Sequence, residues 1–341
     1  MIFGERIRQA REICGFTQTE LAKRIGVKQA AVAQYERGQI MPSDEALRTL
    51  AKETGFLTTF FEQEPSNIFT PGTLSFRARN TLTKKDHDMA YQSASSMFDL
   101  IAKSEKVIGL PMPRLPRITD LNNNPSGAAK ITRTSLGIAP EIPIKNLTRT
   151  LEKNGIIILK LPIFLAKLDA FSTWVKTGIE RPVIVFVSGK QPDRVRFSMS
   201  HELGHLVIHQ PLKGQYKIIE NEANTFAGEF LLPENAIRNE IVPPITLSSI
   251  AKLKPRWGVS IQALISRAYE LNIISNRQYR YLFEQLSARN WRTKEPDNLD
   301  IQPEIPIMYR KIIELAYNDI EQYSKDMHLA YDRAQKLSLF A

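Results

Sequence analysis

Apolar residues recur at helical spacing near the start of the chain and predict a series of short helices. Gly15 is expected to end the first helix, which spans residues 4–14. Thr17, with Glu20 three residues later, has the spacing of a capping box and predicts the start of a second helix. That helix is expected to run to about Ile25. The residues at helical spacing in the first helix are Ile7, Ala10, Arg11 and Cys14.

Two glycines delimit the next predicted helix. Gly26 is expected at a sharp turn that needs positive φ, and a third helix is predicted from about Lys28 to Glu36, ending at Gly38. Apolar residues stand where the second and third helices must touch, and Ala22 is small where they cross closely. The residues expected at this contact are Leu21, Ala22, Ile25, Val27, Val32 and Tyr35.

Further along, apolar runs and Pro-rich breaks predict a mixed region between helical segments. Residues 76–110 are predicted to be helical. From about 128 to 290 helices and strands alternate, and the β-branched runs 155–161 and 182–187 predict buried strands. A C-terminal helical segment is predicted from about 307 to 338. The basic opening of the segment 76–110 consists of Arg77, Arg79, Lys84 and Lys85. Pro-rich breaks lie at 57–75, 111–127 and 293–306.

Composition narrows the class of protein. The chain has 341 residues, with 43% hydrophobic and 24% charged residues, which excludes a wholly disordered or collagen-like chain. A single cysteine, Cys14, excludes an intrachain disulfide framework and a Cys-based zinc finger, and fits a reducing cytoplasm. No apolar run reaches the roughly 18 residues of a spanning helix, and the start lacks a secretory signal pattern. We therefore expect a cytoplasmic protein without a membrane partner.

The net charge of +10 favours a polyanionic partner, but only weakly. The first 56 residues hold nine Lys and Arg against seven Asp and Glu, a net charge of only +2. Most of the excess positive charge therefore lies outside the N-terminal helices.

The run FTQTELAKRIGV (16–27), followed by YERG (35–38), resembles the helix-turn-helix of Xre/Cro-type repressors over about 55 residues. In such a unit the second motif helix lies in the major groove of DNA. The resemblance implies a double-stranded DNA operator as partner, bound by a homodimer. A helical packing module with a solvated polar face is the alternative. The residues that the resemblance turns toward DNA are Gln18, Lys28, Gln29, Ala30, Gln34 and Arg37.

Three of the five histidines fall within nine residues, in HELGHLVIH (201–209). His201 and His205 are four apart, so a helix would place both on one face, where they can bind one ion. Glu202 is rotated by about 100° and stays free to act on a water molecule. This is the logic of the H-E-x-x-H zinc motif, with two ligands and a general base. A surface helix with coincidental histidines is the alternative, but the apolar residues between them indicate burial.

A third protein ligand is expected on the next predicted helix, which ends at Pro233. This helix looks like the second helix of a gluzincin-type site, which implies Glu220 as the ligand. Asn224 would then hydrogen-bond a ligating imidazole. Glu222 is the rival for the ligand position, and Glu229 is interpreted as a solvated residue. His209 continues the face of His205 and is interpreted as a packing residue or a hydrogen-bonding neighbour of the site.

Residues 130–290 as a whole look like the ImmA/IrrE-type metallopeptidase domain, and LSFR (74–77) resembles the segment that joins such a domain to a helix-turn-helix. The resemblance implies a zinc cofactor and, as substrate, a repressor or the chain itself. A zinc domain that only senses or stabilises is the alternative. The resemblance also implies a peptide-binding edge at strand 182–187 or its neighbour. Tyr216, Arg196 and His209 are the candidates for an oxyanion-stabilising group.

The predicted fold class is multidomain: an all-α helix-turn-helix domain, then an α+β gluzincin-like domain with a helical C-terminal segment. Residues 254–271 look superficially like a second helix-turn-helix, but are interpreted as packing onto the catalytic domain through Trp257. Residues 86–105 or the C-terminal helix could supply the dimer contact. The predicted segments are a DNA-binding domain (1–60), a linker and helical connector (61–127), a metallopeptidase domain (128–290) and a C-terminal helical segment (291–341).

Overall fold

A computed structural model describes residues 1–66, 82–105, 108–118, 124–176, 178–209 and 215–340. Contacts divide the chain into two compact units. The first comprises Met1–Leu110, Ile158–Ser188 and Pro306–Ala341, and the second comprises Pro111–Ile157 and Gly189–Ile305. The limits of the four predicted segments stay predictions. No helix of the described residues combines the length and the apolar character needed to cross a bilayer.

The secondary structure is mostly helical, with one small sheet. The α-helices are α1 (Gly4–Ile13), α2 (Gln18–Arg24), α3 (Gln29–Glu36), α4 (Asp44–Thr54), α5 (Lys84–Ser104), α6 (Pro125–Ser135), α7 (Leu147–Lys153), α8 (Pro192–Ile208), α9 (Tyr216–Leu231), α10 (Glu234–Glu240), α11 (Leu247–Ala251), α12 (Lys254–Trp257), α13 (Ile261–Glu270), α14 (Asn276–Ala288), α15 (Met308–Ala316), α16 (Ile320–Asp326) and α17 (Tyr331–Phe340). Short 3-10 helices are Thr58–Glu62 and Asp297–Leu299, and the strands are β1 (Ile157–Leu161), β2 (Ala170–Lys176) and β3 (Glu180–Val187). The predicted multidomain class, with a helical N-terminal region and an α+β region, is confirmed.

The N-terminal helices follow the predicted local signals closely. The backbone N–H of Glu20 donates to Thr17 Oγ1 at 3.1 Å and the N–H of Thr17 donates to the Glu20 carboxylate at 2.6 Å, so the capping box forms. Gly26 has φ 71°, as the predicted turn requires. Leu21 and Val32 are fully buried between α2 and α3. The three predicted helices are therefore confirmed.

Helix α5 packs against α1 in the first unit. The side chain of Gln92 donates to Glu12 at 3.2 Å. Gly15, at φ 65°, lies so close to Met89 that a Cβ there would be 2.9 Å from the thioether sulfur. The described helix is shorter than the predicted 76–110. The opening residues Arg77 and Arg79, the segment 74–77 and residues 67–75 of the predicted linker 57–75 lie outside the described residues.

The three-stranded sheet has the order β1-β3-β2. Strands β1 and β3 match the two predicted apolar runs. Strand β2 pairs antiparallel with β3, with Ala170 opposite Phe186 and Trp174 opposite Pro182. Its sequence, AFSTWVK, was not predicted as a strand because polar residues interrupt the apolar ones. Strand β3 lies between β1 and β2, so β1 and β2 are the edge strands of this sheet and β3 is not an edge strand.

The predicted C-terminal helical segment, about 307–338, is helical and consists of three helices. Asp319 begins α16 by accepting from the N–H of Gln322 at 2.8 Å, which stops the preceding helix. His328 has φ 56°, and the extended residues after it pair with the N-terminal region. The N–H of Leu57 donates to the His328 carbonyl at 2.9 Å, and the N–H of Ala330 donates to the Gly55 carbonyl at 3.0 Å. These long-range bonds replace the helical ones.

The second unit is built around α8 and α9, with α6 packed on α9. Gly204 of α8 faces Phe226 of α9, and a Cβ at this position would lie 3.1 Å from the ring. The absence of a side chain at Gly204 therefore sets the close approach of the two helices. Trp257 and Val259 are buried in the same unit, which confirms the packing role predicted for residues 254–271.

Candidate metal centre and nucleic-acid interface

Helix α8 carries the histidine motif on a buried face. Pro192 stands at its first turn, where a missing N–H costs nothing, and the helix runs unbroken to Ile208. His201 and His205 therefore lie one turn apart on the same side, and both are buried. Glu220 lies in the first half of α9, which the contact at Gly204 holds against α8. The two helices thus supply the three predicted metal ligands.

Three ligand atoms form a compact triangle. The Nε2 atoms of His201 and His205 are 3.1 Å apart. The two carboxylate oxygens of Glu220 are each 3.5 Å from one of these nitrogens. Ligand atoms bound at about 2.0–2.2 Å to a tetrahedral zinc ion are about 3.3–3.6 Å apart, by simple trigonometry. The observed separations are close to this range. A tetrahedral ion held by these three residues would have one coordination position left for a fourth ligand.

A hydrogen bond fixes the orientation of the first imidazole. Nδ1 of His201 lies 2.9 Å from Oδ1 of Asn224, one helical turn after Glu220. An amide oxygen only accepts, so Nδ1 of His201 must carry the proton. Its Nε2 then presents a lone pair to the centre of the triangle, as a metal ligand must. The predicted contact of Asn224 is therefore present.

The second imidazole is oriented by a chain of two further side chains. Nδ1 of His205 lies 2.9 Å from Nδ1 of His209, and Nε2 of His209 lies 2.9 Å from the carboxylate of Glu222. A carboxylate accepts, so His209 donates from Nε2 and accepts at Nδ1. His205 therefore donates from Nδ1 and keeps a lone pair on Nε2. Sequence reasoning places His209 beside His205 as a packing residue or a hydrogen-bonding neighbour of the site, but it does not predict the contact of His209 with Glu222.

The donor set fits a divalent metal ion. Two imidazole lone pairs that face each other at 3.1 Å repel unless a cation lies between them. Oε1 of Glu220 is buried and accepts no hydrogen bond from the described residues. Such an oxygen is costly to bury without a partner. Two neutral imidazoles and one carboxylate are a typical ligand set for catalytic zinc.

Electrostatics at the centre favour positive charge. Burial raises the pKa of Glu220, but its contacts with His201 and His205 outweigh burial and hold the pKa well below its ordinary value. Burial lowers the pKa of His201, but the contact with Glu220 and the charge of Glu202 outweigh burial and raise it. The carboxylate of Glu220 is thus anionic, and the site attracts a cation.

Glu202 follows the first histidine and is buried, at 4% exposure. Its carboxylate is near enough for its charge to act on His201. Helical geometry rotates it away from the face of the two histidines by about 100°. It is therefore placed beside the ligand triangle without belonging to it, as the sequence predicts for a general base.

Two further acidic residues of α9 make contacts that differ from the roles considered for them in the sequence analysis. Glu222, the predicted rival ligand, binds His209 and is absent from the group of ligand atoms that lie within 4.8 Å of one another. The interpretation of Glu229 as a solvated residue is wrong: it is 1% exposed and pairs with the buried Arg267. Arg267 also donates to the Leu232 carbonyl at 3.1 Å, so this pair ties α9 to α13.

The three candidates for an oxyanion-stabilising group differ in their surroundings. Arg196 is buried, pairs with Glu304 and donates to the Ile144 carbonyl at 2.8 Å. His209 belongs to the hydrogen-bonded chain behind His205. Tyr216 stands at the first position of α9 and is 36% exposed. Of the three, only Tyr216 is substantially accessible to solvent.

The predicted DNA-facing residues lie together at the start and along one side of α3. Lys28 is the N-cap of this helix, while Val32 and Tyr35 on the opposite side are buried. This orientation is the one that the helix-turn-helix resemblance implies. The exposed residues are Lys28, Gln29, Ala30, Gln34 and Arg37.

Side chains connect the starts of the two motif helices. The amide of Gln29 donates to Gln18 Oε1 at 2.8 Å, and Gln18 donates to Glu36 Oε2 at 2.8 Å. Glu36 also pairs with Arg11 of α1. This network holds Gln29 in one orientation while leaving its carbonyl oxygen and one N–H for a base edge. Gln can use that pair of groups to recognise adenine.

Comparisons with known proteins agree with a DNA-binding region and a separate metal-binding region. A family model described as helix-turn-helix matches residues 7–60, and one described as IrrE N-terminal-like domain matches residues 151–269. The second match includes His201, His205 and Glu220. No curated protein matches the chain. The chain therefore joins a helix-turn-helix DNA-binding domain to an IrrE-like domain of the peptidase type. This combination is that of a DNA-binding regulator with a peptidase-type domain.

Proposed function

We propose that the protein is a transcriptional regulator of the Xre/Cro type that carries a zinc-dependent metallopeptidase. It binds a DNA operator through residues 17–37, as a homodimer that matches two half-sites. Its second domain cleaves a peptide bond in the chain itself or in another regulator. The observation that carries the proposal is the triangle of His201, His205 and Glu220 beside buried Glu202.

Each residue of the centre has a defined task in this proposal. His201, His205 and Glu220 hold the metal ion. A bound zinc ion polarises a carbonyl oxygen and lowers the pKa of a water molecule to about 7. Glu202 accepts the proton of the attacking water and returns it to the leaving amine, as a general base and then a general acid does.

The residues behind the ligands prepare the site before the metal binds. Asn224 fixes the tautomer of His201, and the chain from Glu222 through His209 fixes that of His205. Both imidazoles then direct Nε2 toward the metal position, and they would bind the metal ion in their neutral form. Outer hydrogen bonds of this kind typically contribute about 10–100-fold to metal affinity.

Substitution of Glu202 by Gln tests the catalytic part of the proposal. We expect the variant to keep zinc and DNA affinity, because Glu202 is outside the ligand triangle, and to lose peptide-bond cleavage. Regulation of the promoter that carries the operator should change with it. Glu284→Gln is a matched control, because Glu284 is an exposed glutamate of α14.

The second candidate function is a regulator whose zinc domain senses or stabilises without cleaving. The engaged state of Arg196 and His209 favours it, since these two candidates for the oxyanion group already have partners. If Glu202→Gln regulates as well as wild type, the peptidase proposal fails and this function replaces it. Metal analysis of the purified wild type, beside His201→Ala, tests both, since only trace zinc in wild type would refute the site itself.

A further inference from the structure

We propose that the first turn of α5 extends the DNA-binding surface, with Lys84 and Lys85 neutralising backbone phosphates beside the operator half-site. The inference rests on the proposed DNA binding and goes beyond it, because both lysines lie outside residues 7–60, the extent of the helix-turn-helix match. Both are exposed at the start of a helix of 21 residues.

The packing of α5 determines where these lysines lie. Gln92 contacts Glu12, and Met89 fills the space above Gly15, so α5 is fixed against the end of α1. Lys85 consequently lies beside the loop that leads into α2, with its Nζ 3.5 Å from a carboxylate oxygen of Glu20. This loop precedes the N-terminus of α2, where an operator phosphate is expected to bind.

One open cavity of about 480 Å³ joins the lysines to the predicted DNA contacts. Gln18 and Arg37 line it together with Lys84 and Lys85. Two predicted DNA contacts and two lysines therefore face the same space. A DNA backbone that reaches Gln18 and Arg37 passes within reach of these flexible lysine side chains.

The charges around this cavity leave an excess of cations. Five Lys and Arg line it, against three carboxylates. The carboxylates are engaged locally: Glu12 binds Arg8 at 2.7 Å, Glu36 binds Arg11, and Asp88 lies 3.3 Å from His87. Among the described residues, Lys84 and Arg37 have no carboxylate partner. The single contact of Lys85 with Glu20 is exposed, and such pairs exchange readily for a phosphate.

The helix-turn-helix segment carries little net positive charge for a DNA-binding protein, and the two lysines add to it. The first 56 residues carry a net charge of only +2, whereas phosphate neutralisation supplies most of the affinity of a DNA-binding protein. Without Lys84 and Lys85, the cavity beside Gln18 and Arg37 would be lined by three Arg against three carboxylates, so the two lysines supply its excess positive charge. An acidic protein partner would not need the shared position of Gln18 and Arg37, so DNA is the occupant that the surface fits.

The test is the salt dependence of DNA binding by full-length Lys84→Gln/Lys85→Gln. The probe is a fluorescent duplex, selected from random sequences with the wild-type protein, and affinity is measured between about 50 and 200 mM salt. Each phosphate contact contributes about 0.9 to the slope of log K against log salt, so the slope should fall by about 1.8 for each half-site and by about 3.6 for a homodimer on two half-sites. At about 0.1 M salt a fall of 1.8 corresponds to a loss of about 60-fold for each half-site. The sequence preference should not change.

Two control variants separate charge from structure. Lys84→Arg/Lys85→Arg keeps both charges and should retain the wild-type slope. Lys153→Gln/Lys252→Gln removes two exposed lysines of the other unit and should have no effect on the slope.

A wild-type slope and affinity in the Gln variant would overturn the inference while leaving the proposed DNA binding intact. Loss of slope in the Arg variant as well would also overturn it, because charge would then not be the cause. A wild-type protein that selects no duplex would refute the DNA-binding proposal itself and this inference with it. Unchanged DNA binding with loss of an acidic protein partner would assign the lysines to that partner instead.

Discussion

Substitution of Glu222 by Gln tests the hydrogen-bonded chain behind the metal centre. The variant keeps the size of the side chain but replaces the carboxylate that accepts from His209 Nε2 at 2.9 Å. A glutamine can present its NH₂ group to this nitrogen instead, which moves the proton of His209 to Nδ1. His205 must then accept at Nδ1, and its own proton moves to Nε2, where the metal needs a lone pair. A half-buried amide at position 222 therefore disturbs a metal ligand that is two side chains away.

The expected loss is about 10–100-fold in zinc affinity, the usual effect of removing an outer hydrogen bond from a metal ligand. This corresponds to about 1.4–2.7 kcal/mol. The measurement is competition for zinc against a chromophoric chelator, which needs no enzymatic activity. Glu284→Gln should bind zinc as wild type does. Glu220→Gln should lose more affinity than Glu222→Gln, because it removes a proposed ligand.

Two results would refute this reasoning. Unchanged zinc affinity in both Glu222→Gln and His209→Gln would mean that the chain does not orient His205. A larger loss for Glu222→Gln than for Glu220→Gln would mean that Glu222 is the third ligand. Circular dichroism of each variant shows whether the helices remain folded.

Two further substitutions test the DNA surface and the buried part of α9. Gln29→Ala with Gln34→Ala should weaken operator binding by about 1–3 kcal/mol per lost base contact and relax sequence preference; retained affinity and preference in a binding titration would mean that α3 is not the recognition helix. Glu229→Gln should lower the free energy of unfolding by about 3 kcal/mol, because it leaves the buried charge of Arg267 without its main partner. A loss of less than about 0.5 kcal/mol in the free energy of unfolding, measured by urea denaturation, would instead fit a solvated surface residue.

The parts of the fold that the sequence predicted are those governed by local interactions. The capping box of Thr17 and Glu20 and the turn at Gly26 act within a few residues, so the N-terminal helices could be placed from sequence. The bounds of the separate helices in the C-terminal segment could not be placed in the same way. The break at His328 depends on pairing with residues 55–57, which are distant in sequence.

The metal centre shows the same difference between features set by local spacing and features set by long-range packing. The spacing of His201 and His205 fixes their common face whatever the rest of the chain does. The partner of Glu222 depends on how α9 is rotated against α8, and that rotation is set by a contact at Gly204 that no sequence pattern shows. The burial of Glu229 has the same origin, since its partner Arg267 lies on a third helix.

The pairing of residues 328–330 with residues 55–57 bears on what a proteolytic cut would achieve. If the chain cleaves itself between residues 111 and 305, both fragments still share the first unit. The downstream fragment keeps its backbone bonds to Gly55 and Leu57, and Arg333 still donates to the Thr54 carbonyl at 2.7 Å. A nicked protein would therefore run as two bands under denaturing electrophoresis and as one species under native conditions. Release from the operator would then require dissociation of the fragments as a step separate from hydrolysis.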